Sequence, residues 1–115
     1  LMRAVPPGTI RGMAHITGCG LPGNLPRVFP EGRRAIVHRS AWRVPPIFGL
    51  IQRLGNVSQS EMDRTFNNGV GFVLVVAAAH ADRVLTHLRR RRTGAVRIGT
   101  VERGARGLEY DEHHA

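Results

Sequence analysis

The stretch "GVGFVLVVA", Gly69 to Ala77, is almost continuously apolar and rich in β-branched residues. A short run of this kind, bounded by glycine, is typical of a strand that is covered on both faces of a sheet. The pattern therefore predicts a central strand at Gly69–Ala77, against which the rest of the chain packs.

Four further strands are predicted outward from this stretch, because small, apolar or β-branched residues alternate there with polar ones between glycines. They are Gly12–Thr17, Ala35–His38, Ala95–Val101 and Leu108–Tyr110. Together with the helices described next, this order of elements predicts an α/β (α+β) fold, a mixed sheet with helices packed on it. We expect residues 1–110 to form a single domain and residues 111–115 to be a frayed tail.

Apolar residues at helical spacing predict the helices. Ile47, Leu50, Ile51 and Leu54 form one stripe, and we expect Gly55 to end that helix in a left-handed conformation. A second stripe is formed by Ala81, Val84, Leu85 and Leu88, with Gly94 as terminator.

Two further helices are predicted from their start signals. Ser58 is a suitable N-cap for a helix at Gln59–Thr65, with Glu61 as its reciprocal capping partner. Asn24 is the candidate cap of a single turn that begins at Leu25.

Composition restricts the class of protein. The chain has 115 residues, 42% of them hydrophobic, which suits one compact domain. It contains no apolar run long enough to cross a membrane, and its start lacks the pattern of a signal peptide, so we expect a cytoplasmic protein without a membrane partner. A single cysteine, Cys19, excludes an internal disulfide, and we expect no structural zinc or other metal site.

All 17 basic residues are arginine, and the formal net charge is +9. An excess of arginine suits phosphate-bearing partners, but the interpretation that we favour is a codon bias that leaves the charges merely solvated. The six aromatic residues are scattered, and none flanks the run Arg89 to Arg92. Because single-stranded nucleic acids are bound on aromatic platforms, we expect no specific nucleic-acid partner.

The glycine-rich turn in "AHITGCGLPGNLPR", Ala14 to Arg27, is the candidate functional segment. Gly18 and Gly20 bring the main chain close to a neighbour, and that neighbour is either packed protein or an anion. If it is an anion, Thr17 donates a hydroxyl and Arg27 supplies a counter-charge. The residues alone leave both interpretations open.

Four blocks in order carry a resemblance to a known family: "GMAHITGCGLPGNLPRVFPEG", "SAWRVPPIF", "LGNVSQSEMDRTFNNGVGFVLVV" and "IGTV". They resemble the C-terminal domain of the phosphoribosylformylglycinamidine cyclo-ligases, also called aminoimidazole ribonucleotide synthetases. Within the same superfamily, the selenophosphate synthetases and thiamine-monophosphate kinases are the alternative.

The resemblance implies an ATP- and Mg²⁺-dependent ring closure of formylglycinamidine ribonucleotide in purine biosynthesis, carried out by a homodimer. It also implies that the metal ligands lie in an N-terminal domain upstream of Leu1, so that the present chain is a fragment and inactive alone. Because a fragment of this kind lacks the first elements of its sheet, we expect the sheet to leave an apolar face uncovered. The resemblance favours the interpretation of the glycine turn as a phosphate-binding site. The phosphate is either that of ATP or that of the ribonucleotide.

The implied phosphate- or nucleotide-binding residues are Thr17, Gly18, Cys19, Gly20, Asn24, Arg27 and Asn67, none of them catalytic. The family generally has three consecutive glycines where this chain has Gly18, Cys19 and Gly20. If that central position requires a positive φ, Cys19 costs about 1 kcal/mol or more.

Overall fold

The computed structural model describes residues 1–111, and its strands form two small sheets. The strands are β1 (Ile10–His15), β2 (Arg33–His38), β3 (Phe72–Val76), β4 (Gly99–Arg103) and β5 (Gly107–Asp111). β1 pairs with β3 in an antiparallel ribbon. In the second sheet, β2 lies between β4, to which it is antiparallel, and β5, to which it is parallel. The mixed α/β class is therefore confirmed.

The prediction of a central strand at Gly69–Ala77 is wrong in its extent and its position. β3 begins only at Phe72, because Gly69 has a φ of 100° and belongs to the preceding turn. Within residues 1–111, β1 is its single strand partner, and the Phe72 side chain is 58% exposed. An apolar run reports the preference for a strand, but it does not report what covers each face.

Four α-helices and three short 3-10 turns connect the strands. The α-helices are α1 (Gly20–Asn24), α2 (Pro46–Gly55), α3 (Gln59–Thr65) and α4 (Ala81–Arg90). The 3-10 turns are Leu25–Val28, Arg39–Ala41 and Ala78–His80. The predicted turn from Leu25 is thus preceded by a separate helical turn, α1, which continues directly into it. In the described part of the chain, no helix has the length and apolar character needed to cross a membrane.

Both sheets share one core, and the α1 segment joins them. The buried residues of this core come from three strands, β1, β2 and β3, and from the segment between β1 and β2. They are Ala14, Ile16, Leu21, Leu25, Phe29, Ala35, Val37 and Val73. α1 contacts α3 on one side and β5 on the other. The glycine-rich turn is therefore anchored by a helix that carries core residues.

The predicted helix boundaries are confirmed at α3 and corrected at α2. The Ser58 hydroxyl accepts a hydrogen bond from the Glu61 amide at 3.2 Å, so the N-cap is in place. The Glu61 carboxylate, however, binds Arg64 instead of returning to Ser58. α2 ends through Asn56, which has a φ of 51°, and not through a left-handed Gly55. Asparagine tolerates this conformation because its short polar side chain bonds locally.

The apolar stripe of α2 is largely exposed, since none of its residues is buried and Leu54 is 80% exposed. Met13 and Phe72 form a second exposed apolar site on the β1–β3 ribbon. The uncovered apolar face that we expected is therefore present.

The predicted strand at Leu108–Tyr110 is confirmed and is one residue longer at each end, whereas the predicted start of the preceding strand is wrong. β4 begins at Gly99, four residues after the predicted start, and residues 93–98 form an irregular connection. β5 runs through Asp111, one residue into the range assigned to the tail. The rest of that range, residues 112–115, lies outside the described residues.

Candidate phosphate-binding site

The glycine loop, residues 17–20, follows β1 and leads into α1. The Ile16 amide still pairs with the Gly71 carbonyl at 2.9 Å, and the Gly20 amide donates to the Thr17 carbonyl at 3.1 Å. Between them, the amides of Thr17, Gly18 and Cys19 have no acceptor among residues 1–111, and all three residues are exposed. Three successive N–H groups are thus available to an external acceptor.

Asn24 determines which way these amides point. Its side chain is buried, and Nδ2 donates to the carbonyls of Gly18 at 3.1 Å and Gly20 at 2.7 Å, with a longer contact to that of Thr17. In a planar trans peptide the C=O and N–H groups point in opposite directions. Since the carbonyls of Thr17 and Gly18 face inward to Asn24, the amides of Gly18 and Cys19 face outward.

The two glycines of the loop have different roles. A Cβ at Gly18 would meet nothing within 4 Å, whereas one at Gly20 would lie 2.8 Å from the Phe66 carbonyl oxygen and closer still to that of Asp63. Gly20 is also buried, and its amide is already used. Gly20 is therefore required by close packing on the backbone of α3, and the open approach is at Gly18.

Cys19 occupies a left-handed conformation, with a φ of 81°, at the N-cap of α1. The expected strain at this position, about 1 kcal/mol or more, therefore applies to the cysteine. Its side chain is exposed and lies against Gly23, where a Cβ would collide with the Cβ of Cys19. Gly23 makes room for the cysteine that stands between the two glycines.

Asn67 lies next to the glycine loop, but its side chain is engaged in its own turn. Asn67 Oδ1 accepts from the Gly69 amide at 2.8 Å, and its carbonyl accepts from Val70. This turn leads to Gly71, which pairs with Ile16 at the start of the loop. Asn67 thus shapes the neighbouring turn.

Arg64, which the sequence analysis did not single out, lies beside the loop with its guanidinium paired to Glu61. The pKa of Arg64 is raised by its hydrogen bonds to Glu61 and then by the Glu61 charge, while desolvation opposes the shift and an electrostatic interaction with the Cys19 side chain adds to it. The predicted counter-charge, Arg27, is exposed on the turn after α1 and has no side-chain bond within residues 1–111. No sequence spacing links Arg64 to Cys19, because α1 and α3 meet only in the folded chain.

A buried ion pair fixes α3 beneath the loop. The Asp63 carboxylate is bound by both guanidinium nitrogens of Arg39, at 3.1 and 2.5 Å, and by Gln59 at 3.0 Å. The Arg39 guanidinium also stacks 3.8 Å from the centre of the Tyr110 ring. Burial, and then the charge of Asp63, raise the pKa of Tyr110 to about 12. The carbonyl that packs on Gly20 therefore belongs to a residue that is held from several directions.

Residues 1–111 match the family described as "AIR synthase related protein, C-terminal domain". The chain belongs to this family. Several curated members are also similar over most of the chain. A protein of Arabidopsis thaliana named "Phosphoribosylformylglycinamidine cyclo-ligase, chloroplastic" is 46% identical to this chain over 103 residues. This match covers 90% of this chain and 26% of that protein.

Bacterial members give the same result. The "Phosphoribosylformylglycinamidine cyclo-ligase" of Myxococcus xanthus is 48% identical over 95 residues, which is 83% of this chain and 28% of the relative. That of Desulfitobacterium hafniense is 46% identical over 101 residues, or 88% and 30%. This AIR synthase related domain spans between a quarter and a third of the curated relatives that it matches.

In chemical terms, the glycine loop of this AIR synthase related domain combines outward amides with a nearby guanidinium. The neutral N–H donors suit a tetrahedral oxyanion such as phosphate, while the Arg64 charge is already paired with Glu61. Within residues 1–111, no three His, Cys, Asp or Glu side chains are grouped so as to hold a metal ion.

Proposed function

We propose that this chain is the C-terminal part of a cyclo-ligase that uses ATP to close formylglycinamidine ribonucleotide to aminoimidazole ribonucleotide in purine biosynthesis. The support is its membership of the AIR synthase related family and the names of its curated relatives. The full reaction also needs the remaining length of those relatives, so we propose that the 115-residue chain is inactive alone. The cytoplasm is the compartment that we propose for it.

The glycine loop is proposed as a binding site for a phosphate group. The single observation that carries this assignment is the outward direction of the Gly18 and Cys19 amides, imposed by Asn24. Backbone amides are fixed dipoles that need no reorganisation when an anion arrives, and such donors stabilise the charge on a phosphoryl group that is being transferred. The Thr17 hydroxyl donates to Asn24 Oδ1 at 3.4 Å and Arg64 is paired with Glu61, so the main-chain amides are the donors that we propose for the phosphate.

ATP and the ribonucleotide are the two proposed sources of this phosphate. In the proposed reaction, ATP activates the amide oxygen of the substrate, and Mg²⁺ accompanies the transferred phosphoryl group. We propose that the metal ligands belong to the N-terminal domain of the family and that the complete protein is a homodimer. Within this chain the residues bind and orient a phosphate.

A chimera tests the proposed activity. The C-terminal segment of the Myxococcus xanthus relative is replaced by residues 1–111 of this chain, and production of aminoimidazole ribonucleotide is measured with ATP and formylglycinamidine ribonucleotide. We expect turnover by the chimera and none by the isolated chain. A folded chimera without activity, or turnover by the isolated chain, contradicts the proposal.

The loop is tested separately in that chimera by the pair Gly18→Val and Gly107→Val. A side chain at Gly18 screens the open amides, so we expect a higher KM for the ligand whose phosphate binds there, ATP or the ribonucleotide. Gly107, at the start of β5, also lacks a positive φ and has room for a side chain, since a Cβ there would lie 3.9 Å from the Ala105 carbonyl oxygen, so it controls for the added side chain. Equal KM values for both ligands in the two variants would remove the loop from the site.

A further inference from the structure

A basic groove lies between the N-terminal segment and α4, and none of its lining residues belongs to the glycine loop. One part of it has a volume of about 430 Å³ and is lined by Ala4, Asp82, Arg83, Thr86, His87 and Arg90. An adjoining hollow of about 550 Å³ shares Ala4 and His87 and adds the apolar residues Leu1 and Met2 and the cations Arg3 and Arg91. We call this surface, with its cationic residues Arg3, Arg83, His87, Arg90 and Arg91, the α4 groove.

Helical spacing aligns the basic side chains of the groove. Arg83, His87 and Arg90 stand at i, i+4 and i+7 on α4, so they share one face. Along the helix axis they lie at intervals of about 6 and 4.5 Å. Three nitrogen-bearing groups therefore follow one another along one wall.

The guanidinium groups of the groove have no partners within the described chain. Arg3, Arg83, Arg90 and Arg91 make no ion pair or side-chain hydrogen bond in residues 1–111, and Asp82 is the single acid in the lining. By contrast, Arg34, Arg39 and Arg64 each bind a carboxylate. Four unpaired like charges around one hollow produce a positive potential that attracts an anion.

The pKa of His87 is affected by that positive potential. Partial desolvation, then the charges of Arg91 and Arg90, lower its pKa below the ordinary value. Arg83 acts in the same direction, while Asp82 and the carbonyl end of α4 oppose it. A bound anion removes part of this repulsion, so binding and protonation of His87 are expected to reinforce each other.

The chemistry of the lining identifies the class of ligand. Guanidinium groups bind phosphate oxygens in a bidentate manner, and several of them in a row match an anion with several phosphates. No Phe, Tyr or Trp side chain is among the lining residues, and the imidazole of His87 is their one aromatic ring, so the lining offers far more to phosphate groups than to a nucleobase. We propose that the α4 groove binds a chain of linked phosphates, whether free or carried by a nucleotide, at a site separate from the glycine loop.

The test measures His87 and the affinity together. In the 115-residue chain, the imidazole signal of His87 is identified with the His87→Gln variant and titrated by NMR with and without inorganic triphosphate. We expect triphosphate to raise the pKa of His87 by about one unit, since an opposite charge nearby favours the protonated form. We also expect tighter binding at pH 6 than at pH 8, and a similar Kd for the triphosphate of ATP at this site.

Matched charge variants separate the groove from the bulk charge. Arg83→Gln with Arg90→Gln is expected to raise the Kd for triphosphate about tenfold, because two exposed charge pairs contribute about threefold each. Arg43→Gln with Arg97→Gln removes the same charge from exposed positions elsewhere, and we expect a change of less than about twofold.

The proposal is overturned if triphosphate leaves the pKa of His87 unchanged, or if the two double variants lose affinity for triphosphate equally. It is also overturned if orthophosphate binds as tightly as triphosphate. Tight binding of an oligonucleotide that triphosphate does not displace also contradicts it. Because none of these measurements uses enzymatic turnover, the groove can fail while the proposed cyclo-ligase function stands, and the reverse.

Discussion

Replacing Gly20 by alanine introduces a methyl group where the backbone of α3 already lies. The new Cβ would be 2.8 Å from the Phe66 carbonyl oxygen and closer to that of Asp63, and the position has a φ of 60°. Two penalties therefore combine. A left-handed conformation costs a non-glycine residue about 1–2 kcal/mol, and an overpacked side chain costs about 1–3 kcal/mol.

Two other glycines separate these penalties. Gly8 has a φ of 82° with nothing within 4 Å, so Gly8→Ala measures the backbone term alone. Gly18 has open space and no positive φ, so Gly18→Ala is the baseline. We expect a loss in the free energy of unfolding of about 2–4 kcal/mol for Gly20→Ala, about 1 kcal/mol for Gly8→Ala and less than about 0.5 kcal/mol for Gly18→Ala.

Urea denaturation followed by circular dichroism measures these differences at equal m-values. A loss of 2–4 kcal/mol is a large fraction of the total stability of a chain of this size, about 5–15 kcal/mol. If Gly20→Ala is no less stable than Gly8→Ala, the packing of the loop on α3 does not limit this position, and the structural role assigned to Gly20 is refuted.

Two further predictions concern single residues near the glycine loop. Tyr110 is the single tyrosine of the chain, so its ultraviolet absorbance titration reports one group: we expect a pKa of about 12 in the native protein and about 10 in denaturant. Because the folded pKa is the higher one, this contribution to stability is complete below pH 10 and is lost as the pH rises towards 12; a native pKa near 10 contradicts the burial of the ring against Arg39 and Asp63. Cys19→Gly relieves a left-handed side chain and is expected to stabilise the chain by up to about 1 kcal/mol in the same urea assay, with Cys19→Ala unchanged within about 0.5 kcal/mol as the control; equal effects of the two substitutions exclude backbone strain at this position.

The glycine turn shows how far sequence reasoning reaches into the candidate site. Its location, its polar residues and the consequence of a positive φ at Cys19 all follow from local pattern and from the family resemblance. Asn24 was predicted to bind the ligand or cap a helix, but its amide holds three carbonyls of the loop from inside. That role requires α1 to bring Asn24 back over the loop.

Local interactions within a few residues are determined by the sequence itself, and these include the Ser58 cap of α3, the amphipathic pattern of α2 and the strand preference of residues 72–76. Only the tertiary structure decided that β3 pairs with β1 alone in the described chain, that Gly20 packs on α3 and that Arg64 stands beside Cys19. Hydrogen bonds and rotamer preferences between near neighbours act along the chain. The partners of a strand edge or a bare backbone are chosen by elements far away in sequence, because they depend on which surfaces collapse together.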